Sequence, residues 1–332
     1  PILGIGGMQL FRTESSDQTD KVIPRARQLA KLIGITYISL VLICAVAYWM
    51  AGMSGFDAIC HALTTLGTAG FSNYDASIAH FNSVSIETIA TIGMIAGGLP
   101  IILYYQMLHG RPLALLKDLQ VRWFLSILSI ATLLITAWLV NSQDFAFWQA
   151  LRYASFNVAS IITTTGYASA DYAHWGTAST LIFFMLIVVG GCTGSTSGGI
   201  KIFRFKVLYE TAKVQLYHLI QPHGVFIARY DGKSISDVVS ASVLGFFTLF
   251  AFSFMILATA LSAYGLDFIT SMSAAAQALA NVGPGLGEII GPVGNYQTLP
   301  DGAKILICIG MIIGRLEFFT VLVLLTIRFW RD

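Results

Sequence analysis

Three short turns in this sequence combine a glycine with a threonine or asparagine two residues before it. They read Thr-Ala-Gly-Phe at 68–71, Thr-Thr-Gly-Tyr at 164–167 and Asn-Val-Gly-Pro at 281–284. Glycine reaches positive φ without steric cost, so it can turn backbone carbonyl oxygens out of regular structure. Carbonyl oxygens arranged in this way replace the hydration shell of K+ in selective pores. The residues that we predict to bind a cation are Thr68, Ala69, Gly70, Thr164, Thr165, Gly166, Asn281, Val282 and Gly283.

Each turn follows an apolar run that is short for crossing a bilayer. The runs cover residues 56–67, 147–163 and 268–280. Short apolar runs, of roughly 10 to 14 residues, are typical of re-entrant segments. A helix that enters the membrane and stops there points its partly negative C-terminal end at the turn, which favours a cation. A single glycine of this kind is more often a packing residue of a transmembrane helix, but three copies at corresponding places favour a pore.

A ten-residue segment rich in glycine interrupts another apolar stretch at 190–199. Five of its residues are glycine, and four carry hydroxyl groups. Lipid cannot form hydrogen bonds with peptide groups, so irregular backbone at this depth must be buried in protein or line a watery path. The length of the break favours a mobile gate, and the alternative is a static kink packed against a neighbour. The predicted gate residues in this segment are Gly190, Gly191, Thr193, Gly194, Ser195, Gly198 and Gly199.

Arg315 lies in the middle of the last apolar stretch. A charge at that depth costs about 3 kcal/mol even on a lenient insertion scale, so it indicates a functional role. One interpretation adds Arg315 to the gate, beside a permeation path. The other is an ion pair with a buried carboxylate. Glu317 lies only two residues further on, which places it on another face of the helix.

The composition is that of a membrane protein. Of the 332 residues, 56% are hydrophobic and only 11% are charged, which is too apolar for a soluble protein of this length. We predict an all-α membrane protein with six crossings, near 33–50, 88–107, 123–140, 179–191, 238–263 and 305–327. Most Lys and Arg residues concentrate in alternate connections, which the positive-inside rule places in the cytoplasm. Those connections are 12–31, 111–122, 201–233 and 328–331.

These motifs resemble the TrkH/KtrB/HKT superfamily of K+ transport proteins, and most closely its bacterial TrkH branch. The resemblance rests on the segments 160–167, 190–199, 280–287 and Gly-Arg-Leu-Glu at 314–317. It implies repeated helix, pore-loop, helix units around a pseudo-fourfold pore in a single chain. In the family the loop that matches 190–199 obstructs the pore. The resemblance also places Arg315 below the filter, where a fixed cation would discourage K+ or help to hold the gate.

The resemblance further divides the chain into parts of four repeats. Residues 1–31 would hold the end of the first repeat and a cytoplasmic linker. Three whole repeats would follow at 32–122, 123–235 and 236–332. Their pore loops would lie near 56–72, 147–168 and 268–287, and the third repeat would also contain the gating loop 190–199 and a cytoplasmic linker.

The function implied by the resemblance is channel-like K+ uptake by a multi-pass protein of the bacterial cytoplasmic (inner) membrane. The implied partners are a second copy of the chain and a TrkA-like nucleotide-binding regulatory subunit. The chain has no Walker A loop and no strand-flanked Gly-x-Gly-x-x-Gly, so we expect no cofactor apart from the transported K+, and any nucleotide would bind the partner. The basic segment 201–233 would contact lipid or that subunit. No nucleic-acid partner is expected.

Two other functions were weighed. A K+ symporter coupled to Na+ or H+ would use the same fold, although the predicted crossings carry almost no ionisable residues for a proton relay. A membrane-embedded enzyme would need a catalytic constellation. The sequence has no His-Glu-x-x-His motif, no paired intramembrane carboxylates and no Ser/His arrangement, so we predict that the chain is not an enzyme.

Overall fold

The computed structural model of the protein describes residues 26–316 together with 318, 321, 323 and 329. Almost all of the predicted segment 1–31 therefore lies outside the described residues. The same holds for Glu317 and for most of the chain after it. All statements below refer to the described part.

The described chain is built mainly of α-helices, numbered here in chain order. The first group comprises α1 (Ala26–Met50), α2 (Gly55–Leu66), α3 (Val84–Gly97), α4 (Ile101–Leu108) and α5 (Ala114–Lys117). The second comprises α6 (Leu119–Ser142), α7 (Phe147–Ile162), α8 (Thr177–Val188) and α9 (Ile202–Ile220). The third comprises α10 (Asp237–Ser262), α11 (Phe268–Ala280) and α12 (Asp301–Arg315). Short 3-10 helices add Ser77–Phe81 and Tyr172–His174.

Three described helices are long and apolar enough to cross a membrane. They are the 21-residue part of α1 from Ala30 to Met50, the 24-residue α6 and the 26-residue α10. Much of their surface is apolar and exposed, as at Leu42 and Ile43 of α1. An apolar surface of this extent is suited to lipid rather than to water. The predicted all-α membrane fold is confirmed.

The predicted crossing at 88–107 is not one continuous helix. Two helices occupy it, α3 and α4, and their axes meet at 94° across a short break. The break contains Gly98, Leu99 and Pro100. Proline lacks the N–H that would continue the helix, and it disfavours the helical region for the residue before it. A hydropathy averaged over residues 88–107 stays high despite this one proline, so it does not indicate the break.

The second helices of the other two groups are also short. Helix α8 has 12 residues and ends at Val188, just before the 190–199 segment, while the predicted crossing extended to 191. Helix α12 has 15 residues, and most of the remainder of the predicted crossing 305–327 lies outside the described residues. If α3 and α4 are taken as one bent span, four of the six predicted crossings are long enough among the described residues.

A small hairpin follows α9. Strands β1 (Arg229–Tyr230) and β2 (Lys233–Ser234) pair antiparallel around Asp231 and Gly232. Both turn residues have positive φ, +48° and +77°. Asp-Gly is a preferred pair for a hairpin turn that needs positive φ at both central residues. The all-α prediction did not include this hairpin.

The helix groups pack in sequence order. The helix before each turn contacts the helices on either side of it in its own group, so that α2 packs against α1 and α3, and α11 packs against α10 and α12. The second helix of one group also contacts the helix before the turn of the next group. Helix α3 packs against α7, and α8 packs against α11. The buried clusters cross these boundaries, since Phe156 and Tyr167 of the second group complete the core of the first. The short helices therefore line up around a common centre.

One buried ion pair joins the first two groups. The Arg152 guanidinium on α7 makes two hydrogen bonds to the Glu87 carboxylate on α3, at 2.6 and 2.7 Å. The side chain of Glu87 is 4% exposed and that of Arg152 is 26% exposed. A carboxylate buried to this extent needs its partner, because an unpaired buried charge is strongly unfavourable. The pair fixes the short helix α7 against its neighbour.

Replacing Glu87 with glutamine should destabilise the protein. The Glu87→Gln change keeps the size of the side chain but removes the negative charge opposite Arg152. Hydrogen bonds to charged groups contribute about 1.5 to 3 kcal/mol, so we expect a clearly lower apparent melting temperature of the purified full-length protein in detergent. Lys304→Gln is the matched control, because its partner Asp301 is exposed and such pairs contribute less than about 1 kcal/mol. Equal shifts for the two variants would contradict the prediction.

Candidate ion pathway

The three predicted cation-binding turns lie side by side. A Cβ atom at Gly70 would lie 1.8 Å from the carbonyl oxygen of Thr165, and one at Gly166 would lie 2.2 Å from that of Val282. A Cβ at Gly283 would in turn lie 4.0 Å from the Cα atom of Gly166. The glycines of the first two turns thus each face a backbone carbonyl of the next turn, in the order of the chain. No side chain fits between the turns at Gly70 or Gly166.

The three turns share one backbone conformation. The glycines have φ values of +70°, +85° and +106°, and the residues two positions earlier also have positive φ, at Thr68 (+47°), Thr164 (+57°) and Asn281 (+57°). A β-branched residue rarely adopts positive φ, so the two threonines are genuine outliers. The repetition of this outlier in corresponding places shows that the turns are copies of one structural unit.

The backbone N–H groups of the turns are used by the short helices before them. The amides of Ala69, Thr165 and Val282 donate to helix carbonyls over 2.8, 2.9 and 3.1 Å, at Thr64, Ser160 and Gln277 respectively. The carbonyl oxygens of the turns are then the backbone groups left for other partners. Each helix also ends at its turn and presents its partly negative end there. This arrangement suits a cation without its water shell.

Two tyrosines support the turns from the outside. The buried Tyr167 hydroxyl lies 2.5 Å from the Thr64 hydroxyl and donates to the carbonyl of His61 over 3.3 Å, so the second turn is tied to the first short helix. The Tyr296 hydroxyl donates to the carbonyl of Gly283 over 2.5 Å. The sequence alone gave no indication that Tyr296 would reach this carbonyl.

A carboxylate lies at the beginning of the first short helix. The Asp57 side chain accepts hydrogen bonds from the hydroxyl of Ser54 at 2.7 Å, the amide of Asn73 at 2.9 Å and the hydroxyl of Tyr74 at 3.0 Å. The hydrogen bonds from Asn73 and Ser54 lower the pKa of Asp57. Asp57 therefore stays negatively charged at ordinary pH and holds the loop after the first turn.

The 190–199 segment forms an irregular loop directly against the turns. The Gly198 N–H donates to the hydroxyl of Thr164 over 2.6 Å. A Cβ at Gly198 would lie 2.6 Å from the carbonyl oxygen of Ala280, at the start of the third turn. The loop is also closed on itself, since the Gly190 N–H donates to the carbonyl of Ile200 over 2.9 Å. Lys201 donates to the carbonyl of Ser197.

The break between α3 and α4 holds the other side of this loop. The Cys192 N–H donates to the carbonyl of Gly98 over 3.0 Å, and the Ile101 N–H donates to the carbonyl of Gly194 over 3.1 Å. The buried Gln120 side chain accepts from the N–H of Thr193 over 2.9 Å. The sequence analysis missed both contributions. The signal for the first was present in Gly-Gly-Leu-Pro at 97–100, whereas Gln120 gave none.

A cavity of about 510 Å³ borders the loop. Loop residues 194–199 and Arg315 line it together with aromatic side chains such as Phe246 and Phe250. Arg315 is exposed to this space. Two more cations, Lys201 and Arg204, also line it. The structure thus brings Arg315 and the predicted gate loop to one cavity, which Gly67 and Leu279 at the ends of two short helices also line.

The comparisons with known proteins agree with this arrangement. A sequence profile of TrkH, described as a cation transport protein, matches residues 1–331. The chain belongs to the TrkH family. It is 48% identical to the Trk system potassium uptake protein TrkI of Halomonas elongata and covers 68% of that protein. It is 34% identical to the Trk system potassium uptake protein TrkH of Escherichia coli K12 and covers 69% of it. Both alignments cover 100% of this chain.

A crystal structure of the potassium transporter TrkH from Vibrio parahaemolyticus has the same fold. It superposes with a TM-score of 0.87 at 34% identity, over 93% of this chain and 66% of that one. The chain therefore spans about two thirds of the length of these TrkH-family relatives. The predictions of a multi-pass membrane protein, of membership in this family and of a cation transporter rather than an enzyme are confirmed. The roles predicted for individual turn and loop residues stay predictions.

The tyrosine contacts in this TrkH-family chain lead to a matched pair of tests. Tyr167 and Tyr172 are both fully buried, but the Tyr172 hydroxyl has no hydrogen-bond partner among the described residues. We expect Tyr167→Phe to lower the stability of the full-length protein by about 1 kcal/mol, the contribution of a typical hydrogen bond. Tyr172→Phe should leave it unchanged or raise it. Thermal unfolding in detergent measures both, and a larger loss for Tyr172→Phe would refute the assignment.

Proposed function

We propose that this chain forms part of a channel-like pathway for K+ uptake across the bacterial cytoplasmic membrane. The relatives are named as Trk system potassium uptake proteins, which confirms the sequence-based prediction of K+ uptake. The single observation that carries the proposed mechanism is the contact of the three glycine turns, in which Gly70 and Gly166 each lie against a carbonyl of the next turn. A dehydrated K+ would bind to the turn carbonyls near Gly70, Gly166 and Gly283. The pathway needs no cofactor in this chain beyond the transported ion.

We propose further that the 190–199 loop is the gate of this pathway. The loop contacts the turns at Thr164 and Ala280 and also lines the cavity of about 510 Å³. K+ that leaves the turns must displace it or pass beside it. Arg315 lines the cavity beyond the loop, and its positive charge disfavours K+ there. Hydrogen bonds of the loop to Thr164 and Gly98 are individually weak enough to break during opening.

The proposed partners are a second copy of the chain and a TrkA-like nucleotide-binding subunit on the cytoplasmic side. The name Trk system, given to the relatives, denotes several components. The end of α9 and the loop before the hairpin support such a contact, because Leu219, Ile220 and Val225 are 80%, 74% and 89% exposed. Any nucleotide would bind to that subunit. Lipid would cover the exposed apolar faces of the long helices.

Rubidium uptake tests the predicted cation-binding turns. A Cβ at Gly166 would lie 2.2 Å from the Val282 carbonyl oxygen at a φ of +85°. Strain of this kind costs a few kcal/mol, so we expect Gly166→Ala to lower uptake by about tenfold or more in cells that lack other K+ uptake. Gly34→Ala in α1 is the matched control, because a Cβ there meets nothing within 4 Å.

The same assay separates the alternatives. Uptake that needs a Na+ or proton gradient in addition to the membrane potential would favour the symporter. Absence of rubidium and K+ uptake by the unmodified full-length protein, even together with a TrkA-like subunit, would overturn the proposal.

Removal of the Arg315 charge should increase K+ uptake. Arg315→Gln takes away a positive charge that faces the cavity below the loop, and close charges interact by about 1 to 4 kcal/mol at the effective dielectric of a wet site. We expect a several-fold higher rate of rubidium uptake at low external K+. Lys304→Gln, on the outer end of the same helix, should have no such effect. A lower rate in Arg315→Gln, with normal amounts of protein in the membrane, would contradict this role.

A further inference from the structure

Two of the three residues with strained conformations at the base of the turns are held by the 190–199 loop. Thr68 and Thr164 both have positive φ, at +47° and +57°. Such a conformation persists only where the surroundings impose it. The Thr164 hydroxyl accepts from the Gly198 N–H over 2.6 Å. The Thr68 hydroxyl shares its single hydrogen between the carbonyl of Gly67 at 2.9 Å and the hydroxyl of Thr196 at 3.2 Å.

The Thr196 hydroxyl is the centre of these contacts. It lies 2.8 Å from the carbonyl oxygen of Leu66, the last residue of α2, and 3.0 Å from that of Gly97, the last residue of α3. A hydroxyl has one hydrogen to donate and can accept from Thr68 at the same time. One side chain of the loop therefore joins the end of a short helix, a strained turn residue and the helix break.

The third turn is held differently. Asn281 also has positive φ. Its side-chain amide donates to the carbonyl of Met311 on α12 over 3.2 Å. The loop approaches this turn only through Gly198, whose Cβ position lies 2.6 Å from the carbonyl of Ala280. The loop touches all three turns, but the hydrogen bonds that it makes to turn residues are to the first two turns.

We propose that the 190–199 loop holds the turns in their cation-selective shape as well as obstructing the pathway, and that the Thr196 hydroxyl is the positioning group. This inference rests on the proposed function, and it adds that the selectivity of the turns depends on the state of the loop. When the loop moves, Thr68 and Thr164 lose the side-chain contacts that add to the hydrogen bonds of the helix ends in holding their conformation. Coupling of this kind is reciprocal, so a cation in the turns must also stabilise the closed loop.

Three variants of the full-length protein test this coupling. Thr196→Val removes the hydroxyl at nearly constant shape, and Thr196→Ser keeps it. Thr193→Val removes a hydroxyl from the same loop that has no hydrogen-bond partner among the described residues. The quantity to measure is the ratio of rubidium to sodium uptake in proteoliposomes. Loss of one hydrogen bond corresponds to about fivefold in an equilibrium, so we expect Thr196→Val to lower the ratio by about that factor.

The controls distinguish a loop that positions the turns from a loop that only obstructs the pathway. We expect Thr196→Ser and Thr193→Val to keep the rubidium to sodium ratio of the unmodified protein, whatever they do to the rate. Faster uptake by Thr196→Val with an unchanged ratio would show that the loop only obstructs, which overturns the coupling and leaves the proposed function intact. If the unmodified protein takes up no rubidium, the proposed function fails, and the coupling fails with it.

A second measurement covers the case in which Thr196→Val does not fold. It keeps Thr196 and introduces Ser195→Cys, with the partly exposed Cys60 and the exposed Cys308 replaced by serine. The rate of modification by a water-soluble thiol reagent is compared in K+ and in choline. We expect slower modification in K+, because bound K+ favours the closed loop. Equal rates would overturn the coupling.

Discussion

The structure depends on one constraint, which is that peptide groups inside a membrane must find their hydrogen-bond partners within the protein. Three of the places where the described chain leaves regular helix belong to this pathway: the glycine turns, the break that contains Gly98 and the 190–199 loop. These irregular segments lie together and satisfy one another. In the loop, the Cys192 N–H donates to the carbonyl of Gly98, and the Gly198 N–H donates to the hydroxyl of Thr164. Irregular backbone is thus gathered at one site, which is also the site suited to a cation.

Charge is distributed unevenly along this pathway. On one side of the loop, the ends of α2, α7 and α11 and the turn carbonyls present partial negative charge. Lys201, Arg204 and Arg315 line the cavity that the loop also borders. In the proposed function, the turns would attract a cation and the Arg315 charge would repel it. The loop contacts both regions, and in the proposal it decides whether the cation proceeds.

Much of this arrangement was predictable, and the errors have identifiable causes. The short helix α11 occupies Phe268–Ala280, and the break at 190–199 is plain in the sequence because five glycines cannot be missed. The bend after Gly98 was missed because the apolar average of residues 88–107 outweighed one proline. The pair of Glu87 and Arg152 was missed because the residues are 65 positions apart, and neither periodicity nor composition reports such a distance.

The sequence by itself determined which stretches are apolar enough for the membrane and where glycine permits the chain to turn. These properties are local, since they depend on side-chain hydropathy and on the φ values open to each residue. The tertiary structure decided which carbonyl faces which glycine, and it alone placed the Thr196 hydroxyl against Thr68, 128 residues away. It also decided that positive φ falls on Thr68 and Thr164, which local preference disfavours. Hydrogen bonds at the helix ends favour this conformation locally, and contacts with the distant loop, which exist only in the folded protein, add to them.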